Sequence, residues 1–147
     1  MIPFFTPLTI SIATLAGFSV GFLWYSPFLF RKMWMRGQGV AEGKLPKRTT
    51  YESALIQMYS FVAHGAIASV IAIMLELLSI TSLTVAVALS LLLAFGLVVT
   101  TRFIDMIYAP REKYYDAQSQ IIFLVGSGYY LTSIAVMTVV IFMCTVR

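Results

Sequence analysis

One histidine, His64, stands inside a long stretch that carries no charged side chain, and Gln57 and Ser60 precede it by seven and four residues. That spacing places all three on one face of a helix. Imidazole changes charge near neutral pH, so a histidine in such a place has two roles open to it. It is either a neutral hydrogen-bonding strut to a neighbouring helix or a group that handles a proton or a ligand. Tyr25, Arg102, Asp105, Gln118 and Gln120 form a second candidate set, since each lies near the end of an apolar stretch. Together with Gln57 they would line a vestibule if the fold brought them to one depth. Arg102 and Asp105, three apart, are also placed for a local ion pair. Glu76 ends its apolar stretch, where a solvated carboxylate is ordinary.

Catalytic chemistry finds little support. One histidine, one cysteine and scattered carboxylates offer no metal-ligand spacing. Gly126-Ser127-Gly128 lies within an apolar run and lacks the strand-to-helix context of a nucleophile elbow. The glycines of 35–43 are not followed by the GK[ST] of a phosphate-binding loop. Cys144, alone, reads as a buried inert thiol, with intermolecular pairing as the alternative. The expectation is a protein that is not an enzyme, with no catalytic residues, no metal and no cofactor.

The elements that must position these residues are membrane helices. Of 147 residues 60% are hydrophobic and 11% charged, against about 25% charged in soluble domains. Residues 1–30, 53–75, 77–101 and 117–146 contain no Asp, Glu, Lys or Arg. Each run matches or exceeds the roughly 20 residues that span a bilayer core. The expected fold is all-α: a polytopic integral membrane protein, one compact bundle of four transmembrane helices at roughly 8–30, 50–78, 82–104 and 117–144. Thr49 and Glu52 form a capping box before the second helix. Ala109-Pro110, or else Asp116, starts the fourth.

Charge placement orients the bundle. Arg31, Lys32, Arg36, Lys44, Lys47 and Arg48 lie between the first two helices, and Arg102, Arg111 and Lys113 flank the connection between the last two. Arg147 alone follows the fourth. The positive-inside rule puts the loops 31–49 and 105–116 in the cytoplasm and both termini outside. The net charge of +4 therefore speaks of orientation and not of nucleic acid. No basic residue precedes the first apolar run, which reads as a retained helix rather than a secretory signal.

Packing signals are small residues. Ala13, Gly17 and Gly21 recur every four positions, and Gly126 and Gly128 interrupt the last helix, each letting another backbone approach closely. Trp24-Tyr25-Ser26-Pro27 sits just before Arg31 and Lys32, as an interfacial anchor with a proline kink. The block WYSPFLF, residues 24–30, followed by Lys32 and Trp34, resembles the signature of the bacterial family called domain of unknown function 1761. That family typically has glycine where Arg31 stands. IFLVGSGYYLTS, Ile122 to Ser133, is similar to its glycine-tyrosine motif. The resemblance covers roughly residues 10 to 145. It implies a compact four-helix membrane domain, placed in a bacterial inner membrane, and no activity.

The functional reading is non-enzymatic binding or transport of a small solute, with a homo-oligomer as one way to build a pathway from so few helices. The alternative is an accessory subunit packing on a larger membrane protein through the Ala13-Gly17-Gly21 face. The lipid bilayer is the one partner the composition names; the ligand's identity is not legible.

Overall fold

The computed structural model describes residues 5–40, 48–108 and 116–145. Lys44, Lys47, Arg111, Lys113, Arg147 and the helix start expected at Ala109-Pro110 lie outside the described residues. The described chain forms five helices, four of them long and apolar enough to cross a membrane. The protein is thus an all-α, membrane-embedded bundle.

Helix α1 runs Pro7–Trp24. Thr6 caps it by accepting the Thr9 N–H at 3.1 Å, and Pro7 takes the first position, where its missing N–H costs nothing. The expected end near Phe30 is corrected to Trp24. Pro27 would lose the bond to the Leu23 carbonyl and clash with it, and it disfavours helical geometry at Ser26. Instead of kinking, the helix stops. Tyr25 to Phe30 turn tightly, with the Phe30 N–H donating to the Trp24 carbonyl at 3.0 Å. A short helix α2, Arg31–Gly37, follows where a loop was expected. It ends in a Schellman motif, with Val40 N–H donating to Met35 O and Gly39 N–H to Arg36 O. Gly39 adopts φ +68°, which glycine takes without steric cost.

Helix α3, Thr50–Leu77, starts with the capping box: Thr49 accepts from Glu52 N–H at 3.2 Å, and the Glu52 carboxylate accepts from Thr49 N–H at 2.8 Å. Its far end repeats the Schellman geometry, with Ile80 N–H to Leu75 O and Ser79 N–H to Glu76 O. Here the left-handed position, φ +50°, holds Ser79. Helix α4, Leu83–Tyr108, outruns its expected end at 104 and contains a π-helical segment, Ala94–Val99. Helix α5, Ala117–Thr145, is capped by Asp116, whose carboxylate accepts the Ser119 N–H at 2.6 Å.

Helix α5 is the centre. Half of its most apolar window is buried inside the bundle, against 22–28% for the other three spans. Helices α1, α2, α3 and α4 all pack on it, and α1 also packs on α3, while α4 rests chiefly on α5. The core joins Ala13, Ala68, Ala72 and Ala86 to Leu75, Met137 and Ile141, all fully buried. Alanines at these points let backbones approach, which is what drives packing where lipid removes the hydrophobic incentive. At Gly17 the approach leaves no room for a side chain: a Cβ there would lie 2.6 Å from Met137 Sδ.

Most hydroxyls follow the rule of a dry environment and find a partner, although among the described residues the buried hydroxyls of Ser26, Ser90 and Ser127 have none. Ser11, Thr14, Ser19, Ser69, Thr132 and Thr138 donate to the carbonyl four residues earlier. Ser133 reaches across helices instead, donating to Gly17 O at 3.2 Å.

The two Schellman motifs supply a stability test. A non-glycine residue in the left-handed region carries about 1 kcal/mol of strain. Ser79→Gly is expected to stabilise the protein by about that amount, and Gly39→Ala to destabilise it similarly, in denaturant unfolding from micelles. Loss of stability in Ser79→Gly would contradict the geometry.

Candidate functional site

Helix α3 brings His64 to the interior, where only 4% of its surface is exposed. Its Nδ1 lies 2.6 Å from the carbonyl of Ser60, one turn earlier. A carbonyl can only accept, so Nδ1 carries the hydrogen. Nε2 lies 2.6 Å from the hydroxyl of Tyr129 on α5. In the neutral ring Nε2 accepts from that hydroxyl. Both ring nitrogens are therefore engaged, one within α3 and one between helices. Phe18 closes the site from α1, its ring 6.1 Å from the imidazole.

Tyr129 holds this position because Gly21 leaves room for it. A Cβ at Gly21 would stand 3.2 Å from the Tyr129 hydroxyl oxygen. The tyrosine ring continues into an aromatic chain: Tyr25 lies 5.4 Å away and Tyr130 5.1 Å, centroid to centroid. Tyr25 in turn meets Trp34 of α2 edge-on at 5.9 Å. Trp24 is fastened beside them, its indole N–H donating to Val125 O at 3.0 Å and its ring lying on Gly128. Phe30 stacks on Trp24 at 4.4 Å. The tight turn at Pro27 is what folds Phe30 and Trp34 back onto Trp24 and Tyr25.

Arg102 extends the cluster from α4. Its guanidinium lies 5.5 Å from the centroid of the Tyr130 ring, a cation–π geometry, and against Gly126 of α5. Burial pushes the Tyr25 hydroxyl above its ordinary pKa, and the Arg102 guanidinium opposes that shift. The local pair with Asp105 is thus not where the side chain points; Asp105 is exposed on the flank of α4. An open pocket of about 330 Å³ lies beside Arg102 and Tyr130, walled by Leu97, Val98 and Thr101. On the other flank of α4 an apolar groove of about 720 Å³ runs along α5, between Phe103 and Leu131.

Of the two residue sets suggested by the sequence, each is split. Ser60 serves His64 through its carbonyl. Gln57 does not share that inward face: it is exposed, as are residues 50–59 of α3 apart from Leu55. Helix α3 leaves the bundle over its first three turns, so a shared helical face there faces nothing. Tyr25 and Arg102 reach the same tyrosine cluster, Tyr25 through Tyr129 and Arg102 through Tyr130. Gln118 and Gln120 are exposed on the first turn of α5, and Gln118 sits near Gly39 at the end of α2, away from Arg102. Ala13, Gly17 and Gly21 are filled from α5 and α3, and Gly126 and Gly128 receive Arg102 and Trp24. Tyr129 and Tyr130 were missed as site residues. The signal available was position: Tyr129 precedes Ser133 and Met137 at four-residue steps, on the face that meets the small residues of α1. Among the described residues no group of three or more His, Cys, Asp or Glu could hold a metal.

The His64–Tyr129 bond is testable by a double-mutant cycle. His64→Leu and Tyr129→Phe should each destabilise by roughly 0.6–2 kcal/mol, the range for intramembrane hydrogen bonds. Combined, they should cost less than their sum, because each removes the same bond. Strict additivity in unfolding from micelles would show that the two groups are not coupled.

No curated protein and no solved structure matches this chain. A family model described as a protein of unknown function, DUF1761, matches residues 8–142, nearly the whole length, including both the WYSP turn that fastens Trp24 and the Gly126–Tyr130 stretch that receives Arg102. The chain belongs to the DUF1761 family.

Proposed function

We propose that this protein is a non-enzymatic membrane protein that binds and moves a small solute through the end of the bundle where Arg102, Tyr25 and Tyr130 meet. The observation that carries the reading is Arg102. A guanidinium within the last turns of an apolar helix ordinarily snorkels toward headgroups. Here it turns onto Gly126 and Tyr130, beside an open pocket and one tyrosine away from the His64–Tyr129 bond. Ionisable groups at such depth mark binding or transport pathways by default.

The orientation follows from four crossings and the charge count. An even number of spans leaves both termini on one side, and nine of the ten basic residues lie toward the other. That side is the cytoplasm of a bacterial cell, with the bundle in its inner membrane. A central α5 leaves no private channel, so a continuous path would need several copies. The exposed opening turns of α3, with Tyr51, Met58, Tyr59 and Val62 uncovered, are the surface for such assembly. The same surface supports the second reading, an accessory subunit, since the Ala13-Gly17-Gly21 face is occupied within the chain.

Solute entry requires water at the pocket. In a Cys144→Ser background, Thr101→Cys should react with a membrane-impermeant thiol reagent in inside-out vesicles and resist it in right-side-out ones. Leu92→Cys, on an exposed apolar position of α4, should stay unreactive in both. An unreactive Thr101→Cys in inside-out vesicles would overturn the solute-binding reading.

A further inference from the structure

We infer that the pocket beside Arg102 binds the anionic end of an amphiphile, a carboxylate or phosphate carried on an apolar stem. This inference rests on the solute-binding reading above and names its substrate class. Three features of the pocket carry it. First, the guanidinium is recessed rather than extended. Gly126 makes the recess, because a Cβ there would lie 3.2 Å from Arg102 Cζ and 3.4 Å from Nε. A planar fork of N–H donors held in place is suited to the oxygens of a carboxylate or phosphate.

Second, the surroundings of the cation leave it open to an oxyanion. Among the described residues the guanidinium meets Tyr130 and Gly126, while Asp105 is exposed elsewhere on α4. Thr101 has already directed its hydroxyl hydrogen to Leu97 O. Tyr130 lines the same pocket and brings a hydroxyl donor. Third, the remaining wall is Leu97 and Val98, which fits hydrocarbon and not a hydrated ion. Arg31, Lys32 and Arg36 are exposed at the same end of the bundle, where their field draws anionic amphiphiles toward the site. Such a ligand has two sources: a free amphiphile from the aqueous phase or the headgroup of an anionic lipid.

The test uses the full chain in zwitterionic detergent. Octanoate, n-octanol and inorganic phosphate are titrated while thermal unfolding is followed. Lipid retained after extraction from phosphatidylglycerol or phosphatidylcholine vesicles is counted by native mass spectrometry. A free amphiphile predicts that octanoate binds at least tenfold more tightly than n-octanol or phosphate. A lipid source predicts retained phosphatidylglycerol and no retained phosphatidylcholine. In either case Arg102→Gln should lower the affinity or retention at least tenfold, and Arg102→Lys less. Gly126→Ala should match Arg102→Gln, since it keeps the charge but displaces a flexible side chain at little cost to the fold. Equal binding of every probe by the parent protein and both the Arg102→Gln and Gly126→Ala variants overturns the inference. So does n-octanol matching octanoate without phosphatidylglycerol retention. Labelling of Thr101→Cys is independent of these results, so the pocket's hydration and its choice of an anion fail separately.

Discussion

The approach of α1 to α5 at Gly17 is the constraint on which the rest of the bundle depends. With no side chain at Gly17, Met137 enters the space and Ser133 donates to the Gly17 carbonyl. One turn along, Gly21 meets Tyr129, and three residues later Trp24 lies on Gly128. The three contacts are a single zipper read from the middle of α1 to its end. It sets the height of Tyr129, and so decides which residue of α3 its hydroxyl can reach. His64 is that residue. A shift of either helix by one turn, about 5.4 Å, would exchange every partner along the seam.

What the sequence makes legible is what one-dimensional periodicity encodes. Four charge-free runs of spanning length define four helices. Thr49 and Glu52, three apart, define a cap that needs no tertiary information. The WYSP block and the glycine-tyrosine block identify the family. The misjudged features depend on what lies across from a residue. Pro27 was readable as a kink, but whether a proline bends or ends a membrane helix turns on where the chain can go next. Here the aromatic pairs Trp24–Phe30 and Tyr25–Trp34 reward a sharp return. Gln57 shares a helical face with His64, yet a face has meaning only where something packs on it, and α3 has by then left α5. Arg102 had a carboxylate three residues away and a tyrosine on another helix. Local spacing favoured the first, and the recess at Gly126 selects the second.

The π-helical segment helps to explain why α4 can offer Arg102 at all. A π turn inserts a residue into the helix and rotates everything beyond it relative to a regular α-helix. Residues after Val99 therefore present a different face to α5 than the Leu83–Leu93 stretch would project. The carbonyls of Gly96 and Leu97, at the disturbed turn, accept the hydroxyls of Thr100 and Thr101. Those two threonines satisfy backbone groups that lipid could not. With Ala86 and Ala94 in the core and Arg102 aimed at Gly126, the helix serves packing in one half and chemistry in the other.

Electrostatics then determine how the two halves of the site relate. Arg102 stands six residues before the end of α4, roughly 9 Å of helical rise. A guanidinium at the bilayer centre costs about 2.5–3.5 kcal/mol, and less toward the interface. A cation–π contact returns about 0.5–2 kcal/mol, so Tyr130 offsets much of the cost at this depth without neutralising the charge. His64, deeper, takes the opposite course: both nitrogens are bonded and the ring is closed in by Phe18 and Tyr129. The tyrosines between them are polar groups that cost little to keep in a hydrocarbon layer, since each presents a ring to its neighbours, and the Tyr129 hydroxyl is bonded to His64. A gradient results, from a retained charge near the surface, through Tyr130 and Tyr129, to a satisfied imidazole in the core. Arg102 touches Tyr130, Tyr130 packs on Tyr129, and the Tyr129 hydroxyl is bonded to His64, so the two halves of the site are joined by a continuous line of side-chain contacts.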